Sequence, residues 1–408
     1  MSDAEDLASL PTIDRADVYK AGALAATLTR TVDGVEFRYL DAWLADYRAP
    51  VASTLPPTAA PLLRPSGALP SFFTGLLPEG RRLGALRRAM KTSADDELSL
   101  LLGVGADAIG DVQVVPEGVE PAAIPPHVVL GSEEPLDFGA LLDDLGIRPQ
   151  RQALPGVQDK TSVAMINVPV ARAGDRFILK LTPPEYPHLV ENEAFFLTAA
   201  RRSGLTVPHH ELIEDARGRA GLLVRRFDRC TVDGNGRSLA VEDGCQAGDR
   251  PPADKYRLGA EATFRSLVAL CDAPVVAART LVRQLAFAYL TGNGDAHAKN
   301  FSVLQSLDSE WAVSPAYDVP NSTIYGDATM ALSQPKAGGE LGGGDFVTLA
   351  ASLDVPPAAT RTLLTDLTDR VDLWLEDIAT LPFDRSARAK LRRTIERRRE
   401  RLRTGLTS

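Results

Sequence analysis

The stretch Gly292-Asn293-Gly294-Asp295-Ala296-His297-Ala298-Lys299-Asn300-Phe301 constrains this chain more than any other. It follows a helical run anchored by Leu285, Phe287, Tyr289 and Leu290. Two glycines then break that helix and open a tight loop. The loop presents a carboxylate, Asp295, and an amide, Asn300, with four residues between them. Phosphoryl transfer needs a carboxylate to accept a hydroxyl proton and an amide oxygen to hold a metal ion. Kinase catalytic loops supply both at this D-x-x-x-x-N spacing. The spacing alone arises often by chance; on a glycine-flanked loop after a buried helix it carries weight. Lys299 is a candidate for neutralising charge on the transferring group.

A second carboxylate follows. Trp311 to Ser314 reads as a strand, and Asp318 stands at its end, 18 residues after Asn300. A magnesium ion bridging nucleotide phosphates needs such an oxygen ligand, which makes Asn300 and Asp318 the candidate metal ligands. The plainer alternative is that Asp318 caps a turn before Pro320. Upstream, Phe177 to Leu181 buries one lysine, Lys180, inside an apolar strand. Kinases pair such a lysine with a helix glutamate to grip the α- and β-phosphates. Glu193 on the next helix is the preferred partner and Glu191 the alternative; the plainer reading is two solvated acids. Leu154-Pro155-Gly156-Val157-Gln158-Asp159-Lys160-Thr161 superficially resembles a Walker A loop, but Asp159 stands where the second glycine belongs. It reads instead as a short turn whose N–H groups, with Gln158 and Lys160, face nucleotide phosphates. His209, His210 and His297 do not make a zinc site, and His297 reads as a hydrogen-bonding residue that fixes the loop.

Periodicity places these pieces. Leu24–Thr31 and Val35–Tyr39 read as a hairpin around Asp33-Gly34. A Pro-rich loop from Pro56 to Pro70 follows, then helices over Phe72–Met90 and Asp95–Leu102, and a strand over Asp111–Val115. Pro116–Pro126 reads as a linker. Phe138–Asp144 is helical, Thr161–Asn167, Arg176–Leu181 and Gly221–Arg225 are β-like, and Leu189–Arg202 is a helix stopped by Gly204. Beyond Arg229 the pattern is helical (Ala260–Cys271, Ala277–Thr291, Val355–Leu381, Arg385–Arg403), apart from a β-like interval over Phe301–Ser314. Lys336–Asp345 is Gly-rich and reads as a mobile loop. The expected fold class is α+β. A β-containing N-terminal part (1–125) precedes a small β lobe (126–228) and a helical lobe (229–408), with room for a nucleotide between the lobes.

Bulk properties set outer limits. At 408 residues and 44% hydrophobic content the chain has ample core. There is no apolar run of about 18 residues. The acidic N-terminus is no secretory signal. Three cysteines without CxxC spacing argue against disulfides and zinc. A cytoplasmic location follows. Net charge is −9, yet Arg385–Arg403 carries +8 and the remainder about −17. An acidic body argues against a large direct nucleic-acid surface. Leu391, Ile395 and Leu402 share one face of the basic segment, so it reads as a docked terminal helix with solvated arginines; a phosphate- or partner-binding patch is the alternative.

In order along the chain, LPGVQDK, FILKL, ENEAFF, VRRFDR, EDGCQ, GDAHAKNF and AYDV resemble the HipA-like kinases, toxin components of bacterial toxin–antitoxin pairs. The resemblance runs from about Tyr19 to the C-terminus and includes GLLPEG (75–80) and IGDVQVVPEG (109–118). It implies a bilobal protein-kinase-like fold and ATP with Mg²⁺ as cofactors. It implies Asp295 as catalytic base, Asn300 and Asp318 on Mg²⁺, and Lys180 on the α/β-phosphates. Val157, Gln158 and Lys160 would lie over the phosphates, with Glu193, His297 and Tyr317 lining the nucleotide site. Arg225 to Phe227 would form an adenine-holding hinge. EDGCQ would help build the site in a role the residues themselves do not disclose. The implied reaction is ATP-dependent phosphorylation of a protein serine or threonine, with a translation component such as an aminoacyl-tRNA synthetase as target. The implied partner is a helix-turn-helix, HipB-like antitoxin, bringing DNA only indirectly. One departure stands out: members often carry a phosphorylated serine just before the phosphate loop, and here that position is Ala153, which has no hydroxyl. Two other readings compete: a small-molecule phosphotransferase like aminoglycoside or lipid kinases, and a non-catalytic pseudokinase that binds a partner.

Overall fold

The computed structural model describes residues 7–46, 49–65, 67–121, 128–130, 136–144, 165–172, 174–327, 330–332, 341–404 and 406. The chain begins with an antiparallel sheet in the order Leu62–Pro65, Gly34–Tyr39, Ala23–Thr31, Arg15–Lys20, Val112–Pro116. Thr31 pairs with Gly34, so the expected hairpin closes over a two-residue turn. One sheet face packs Val18, Leu28 and Phe37 against Phe72, Phe73, Leu98 and Leu101 from short helices. The expected single helix from Phe72 to Met90 is two, Ser71–Leu76 and Gly80–Met90. Pro78 lies at the break, where a missing N–H cannot continue the ladder. The Pro-rich loop contains an edge strand, Leu62–Pro65, a position that tolerates proline.

A second sheet runs Val128–Leu130, Ile166–Arg172, Asp175–Leu181, Ala220–Arg225, His210–Glu214. Ile166–Arg172 lies further along the chain than the expected Thr161–Asn167, and residues 161–164 are outside the described set. Helix Leu189–Arg202 packs beside this sheet as expected, and Lys180 pairs across the sheet with Leu222.

The rest is helical around Pro274–Thr291, which is buried almost all round along its C-terminal half, the mark of a core helix. Ala260–Val268, Gly343–Ala351, Pro357–Asp369 and Arg385–Arg403 surround it. Gly343–Ala351 begins inside the stretch read as a mobile loop; residues 333–340 lie outside the described set. After Asp369 the expected long helix breaks into two 3-10 turns, Arg370–Leu373 and Glu376–Thr380. A three-stranded sheet, Val241–Asp243, Ser302–Gln305 and Trp311–Val313, brackets the 293–301 loop.

The basic terminal helix docks through buried Leu391, Ile395 and Leu402. Its arginines are less solvated than the sequence reading held. Arg392 pairs with Glu376, Arg399 with Asp372 and Arg403 with Asp369. Buried Arg398 donates to Tyr289 O at 2.6 Å.

Candidate active site

Lys180 is 7% exposed and would be costly to bury alone. Its Nζ lies 2.7 and 2.9 Å from the Glu193 oxygens and 3.0 Å from Asp318 Oδ1. Glu193 is 1% exposed, whereas Glu191 faces His188 at 3.1 Å, which settles the choice between them. Burial works against the Lys180 charge, but Asp318 and Glu193 hold its pKa above the ordinary lysine value. Asp318, only partly buried, likewise stays below the usual carboxylate range against the loss of solvent, because Lys180 faces it.

Asp318 reaches this position through an unusual backbone. Its φ is +56°, a left-handed conformation that aspartate tolerates better than most residues. Its carbonyl accepts Asn293 Nδ2 at 3.0 Å, and Asn293 Oδ1 accepts the Asp295 N–H at 3.1 Å. Asn300 Nδ2 donates to Asp318 Oδ2 at 3.0 Å. Asp295, Asn300, Asp318 and Lys180 therefore belong to one hydrogen-bonded network. Gly292 ends the preceding helix at φ +81°, and a Cβ there would meet Asn321 Nδ2 at 2.5 Å. Asn192, next to Glu193, holds the segment after Asp318: its amide bonds the Asn321 C=O and N–H, both at 2.9 Å. Sequence reasoning missed Asn192; a buried asparagine one residue from the paired glutamate was the available signal.

In the segment read as a hinge, the Arg225 guanidinium pairs with Asp175 at 2.8 Å on the exposed side. Phe227 leans against Tyr317, ring centroids 5.7 Å apart, forming an apolar wall. Tyr317 OH donates to Lys299 O at 2.7 Å and also contacts Ser302 Oγ.

His297 fixes the loop through its backbone, not its ring: its N–H donates to Asn300 Oδ1 at 3.2 Å and its C=O accepts the Asn300 N–H at 2.9 Å. Its buried Nδ1 has no hydrogen-bond partner. Burial and Lys255 push its pKa down to about 4, so the ring is neutral. Lys299 also departs from expectation. Its ammonium turns away to the N-terminal part, 2.9 Å from Glu79 Oε1 and 3.1 Å from Gly75 O. Lys255 joins the same glutamate. Glu79 is held down to about 2, Lys299 and Lys255 outweighing the opposing effect of burial.

The EDGCQ segment gains a role here. Glu242 accepts Ser53 N–H at 2.7 Å and Ser53 Oγ at 2.5 Å. Asp243 caps the short helix Gly244–Ala247, and Gln246 donates to Phe72 O at 2.9 Å. A Cβ on Gly244 would lie 2.7 Å from Ala298 O, so only glycine allows this approach to the loop. The segment is a joint between the N-terminal part and the candidate catalytic loop.

A magnesium ion suits these residues. Mg²⁺ takes oxygen ligands and in phosphate sites uses one or two carboxylates plus substrate phosphates. The Asp318 side chain is 43% exposed, leaving a face open toward a ligand. Asn300 Oδ1 is held by His297 N–H and would exchange that bond for a cation. Among the described residues no group of three or more His, Cys, Asp or Glu is placed to hold a metal. Val157, Gln158, Lys160 and Ala153 lie outside the described residues. Among the described residues no helix is long and apolar enough to cross a membrane.

Known proteins resemble this chain in sequence and fold. The HipA-like C-terminal domain matches residues 152–375 and the HipA N-terminal domain residues 16–115. The putative kinase Y4mE of Sinorhizobium fredii is 31% identical over 399 residues, covering 90% of this chain and 93% of that protein. The serine/threonine-protein kinase toxin HipA of Shewanella oneidensis is 28% identical over 295 residues, 66% of each chain. A chain in the solved complex of HipA, HipB and operator DNA from the Shewanella oneidensis toxin–antitoxin system superposes with a TM-score of 0.76 at 21% identity, over 96% of this chain and 98% of that one, so the mixed α/β fold is shared. With family matches over both halves and a relative aligned along nearly its whole length, the chain belongs to the HipA-like family.

Proposed function

We propose that this chain is an ATP-dependent protein serine/threonine kinase and the toxin of a toxin–antitoxin pair. The observation that carries the reading is the Lys180 ammonium shared between Glu193 and Asp318, with Asn300 on the other Asp318 oxygen. In this reading the fold is bilobal and kinase-like, with an N-terminal subdomain (1–125), a small lobe (126–228) and a helical lobe (229–408). Lys180 holds the α/β-phosphates and Glu193 holds Lys180. Mg²⁺ on Asn300 and Asp318 would neutralise charge on the phosphates. Asp295 takes the proton of the acceptor hydroxyl. Phe227 and Tyr317 wall the adenine side. The Val157–Lys160 turn covers the phosphates, and Ala153 removes self-phosphorylation at that position.

The target class is a translation component such as an aminoacyl-tRNA synthetase. The partner is a HipB-like antitoxin, the companion of the structural neighbour, and DNA is reached through it. The setting is the cytoplasm. A phosphoproteome comparison of cells expressing the wild-type chain and Asp318→Ala tests the proposal. New phosphoserine or phosphothreonine sites with the wild type alone are expected; identical phosphoproteomes would overturn it.

A further inference from the structure

Tyr256 stands 39 residues before Asp295 in sequence, yet its hydroxyl donates to Asp295 Oδ1 at 2.8 Å. Its ring meets His297 edge-on at 5.2 Å between centroids, and Lys255 Nζ lies 5.1 Å from the ring centre. Tyr256 is 37% exposed. A general base takes its proton from a hydroxyl within hydrogen-bond reach. In this structure a hydroxyl already holds that place, and it belongs to the protein. We propose that Tyr256 occupies the acceptor-hydroxyl subsite in cis. A serine or threonine side chain reaches Asp295 only when the phenol swings out. This rests on the kinase reading above and adds the gate on its acceptor.

The physical basis is a short exchange. Tyr256 is exposed enough for water to replace its bond to Asp295 once it leaves. The place it vacates fits a small neutral hydroxyl. The acceptor oxygen then bonds to the γ-phosphorus as the bond from that phosphorus to the β–γ bridging oxygen breaks. ADP departs and the acceptor proton passes to Asp295.

Water is the smallest acceptor and serves as the probe. Tyr256→Phe keeps the ring and removes the hydroxyl. MgATP hydrolysis without added protein is measured for wild type, Tyr256→Phe and the double variant Tyr256→Phe/Asp295→Asn, alongside MgATP binding by calorimetry. Hydrolysis is expected to rise roughly tenfold in Tyr256→Phe, the factor a hydrogen bond to a carboxylate represents. MgATP affinity stays unchanged, and the double variant loses the gain. Hydrolysis equal to or below wild type, with MgATP binding intact, overturns the inference and leaves the kinase reading standing; that is also the result if Tyr256 merely orients Asp295. No MgATP binding by either the wild type or Tyr256→Phe overturns both.

Discussion

Two charged clusters flank the 293–301 loop, and they are built in opposite ways. On one side, Lys180, Glu193, Asp318 and Asn300 form a network whose central carboxylate keeps 43% of its side chain exposed. On the other, Glu79, Lys299 and Lys255 close on one another, while Ser53 meets Glu242 and Gln246 meets Phe72 O. Both hold their charges in ion pairs. The second completes its pairing within the protein and makes a joint. The first sets one ammonium, Lys180, against two carboxylates, Glu193 and Asp318, an excess of negative charge that a cation would complete, and makes a candidate site. The joint holds the loop at Ala298 and Lys299, between Asp295 and Asn300.

The comparison breaks first at the open cluster. Asp295→Asn should lower phosphoryl transfer by about 10²–10⁴-fold, read as label transferred from ATP to protein. Its thermal midpoint should scarcely move, and full activity would remove Asp295 from its role. Lys180→Met should destabilise the fold by about 3–5 kcal/mol, because Glu193 is left buried without its cation. Urea titration reads this, and adding Glu193→Gln should recover part of the loss. If the double variant is no more stable than Lys180→Met, the buried pair is not the cause.

Smaller effects sharpen the distinction. Asn192→Ala strips both hydrogen bonds from the Asn321 peptide and should cost about 1–3 kcal/mol, with a fall in transfer rate, since Asn321 follows Asp318 closely. At the joint, Ser53→Ala should cost about 1 kcal/mol and leave MgATP affinity unchanged; a large affinity loss would mean that the joint belongs to the site. The smallest effect is one of pH. Glu79 falls from its ordinary 4.5 to about 2, because Lys299 and Lys255 outweigh burial. A depressed acid contributes stability that is present above about 4.5 and lost as pH falls toward 2. Glu79→Gln should therefore flatten the acid limb of a stability–pH curve in that window alone.

The sequence carried the candidate site wherever its parts lie close along the chain or repeat a known spacing. Asp295 and Asn300 sit on one loop, and Lys180 and Glu193 on a strand and the helix after it. Choosing Glu193 over Glu191 required knowing which helix face meets the sheet, which the short acidic stretch does not reveal. The left-handed backbone at Asp318 is equally silent in sequence, because an aspartate there also suits an ordinary turn. The errors lie where distant segments meet. Lys299 looked free to serve a phosphoryl group because Gly75, which accepts from it, lies 224 residues away. Tyr256, Asn192 and the EDGCQ joint escaped for the same reason. The broken helices at Pro78 and after Asp369 show the limit of periodicity: it marks buried faces, not where a backbone ladder stops.

A crystal structure of the chain with Mg²⁺ and a non-hydrolysable ATP analogue tests the central claim most directly. The account predicts one metal ion bound by Asn300 and Asp318, with phosphates reaching Lys180. A nucleotide bound elsewhere, or a metal that leaves Asp318 untouched, would contradict it.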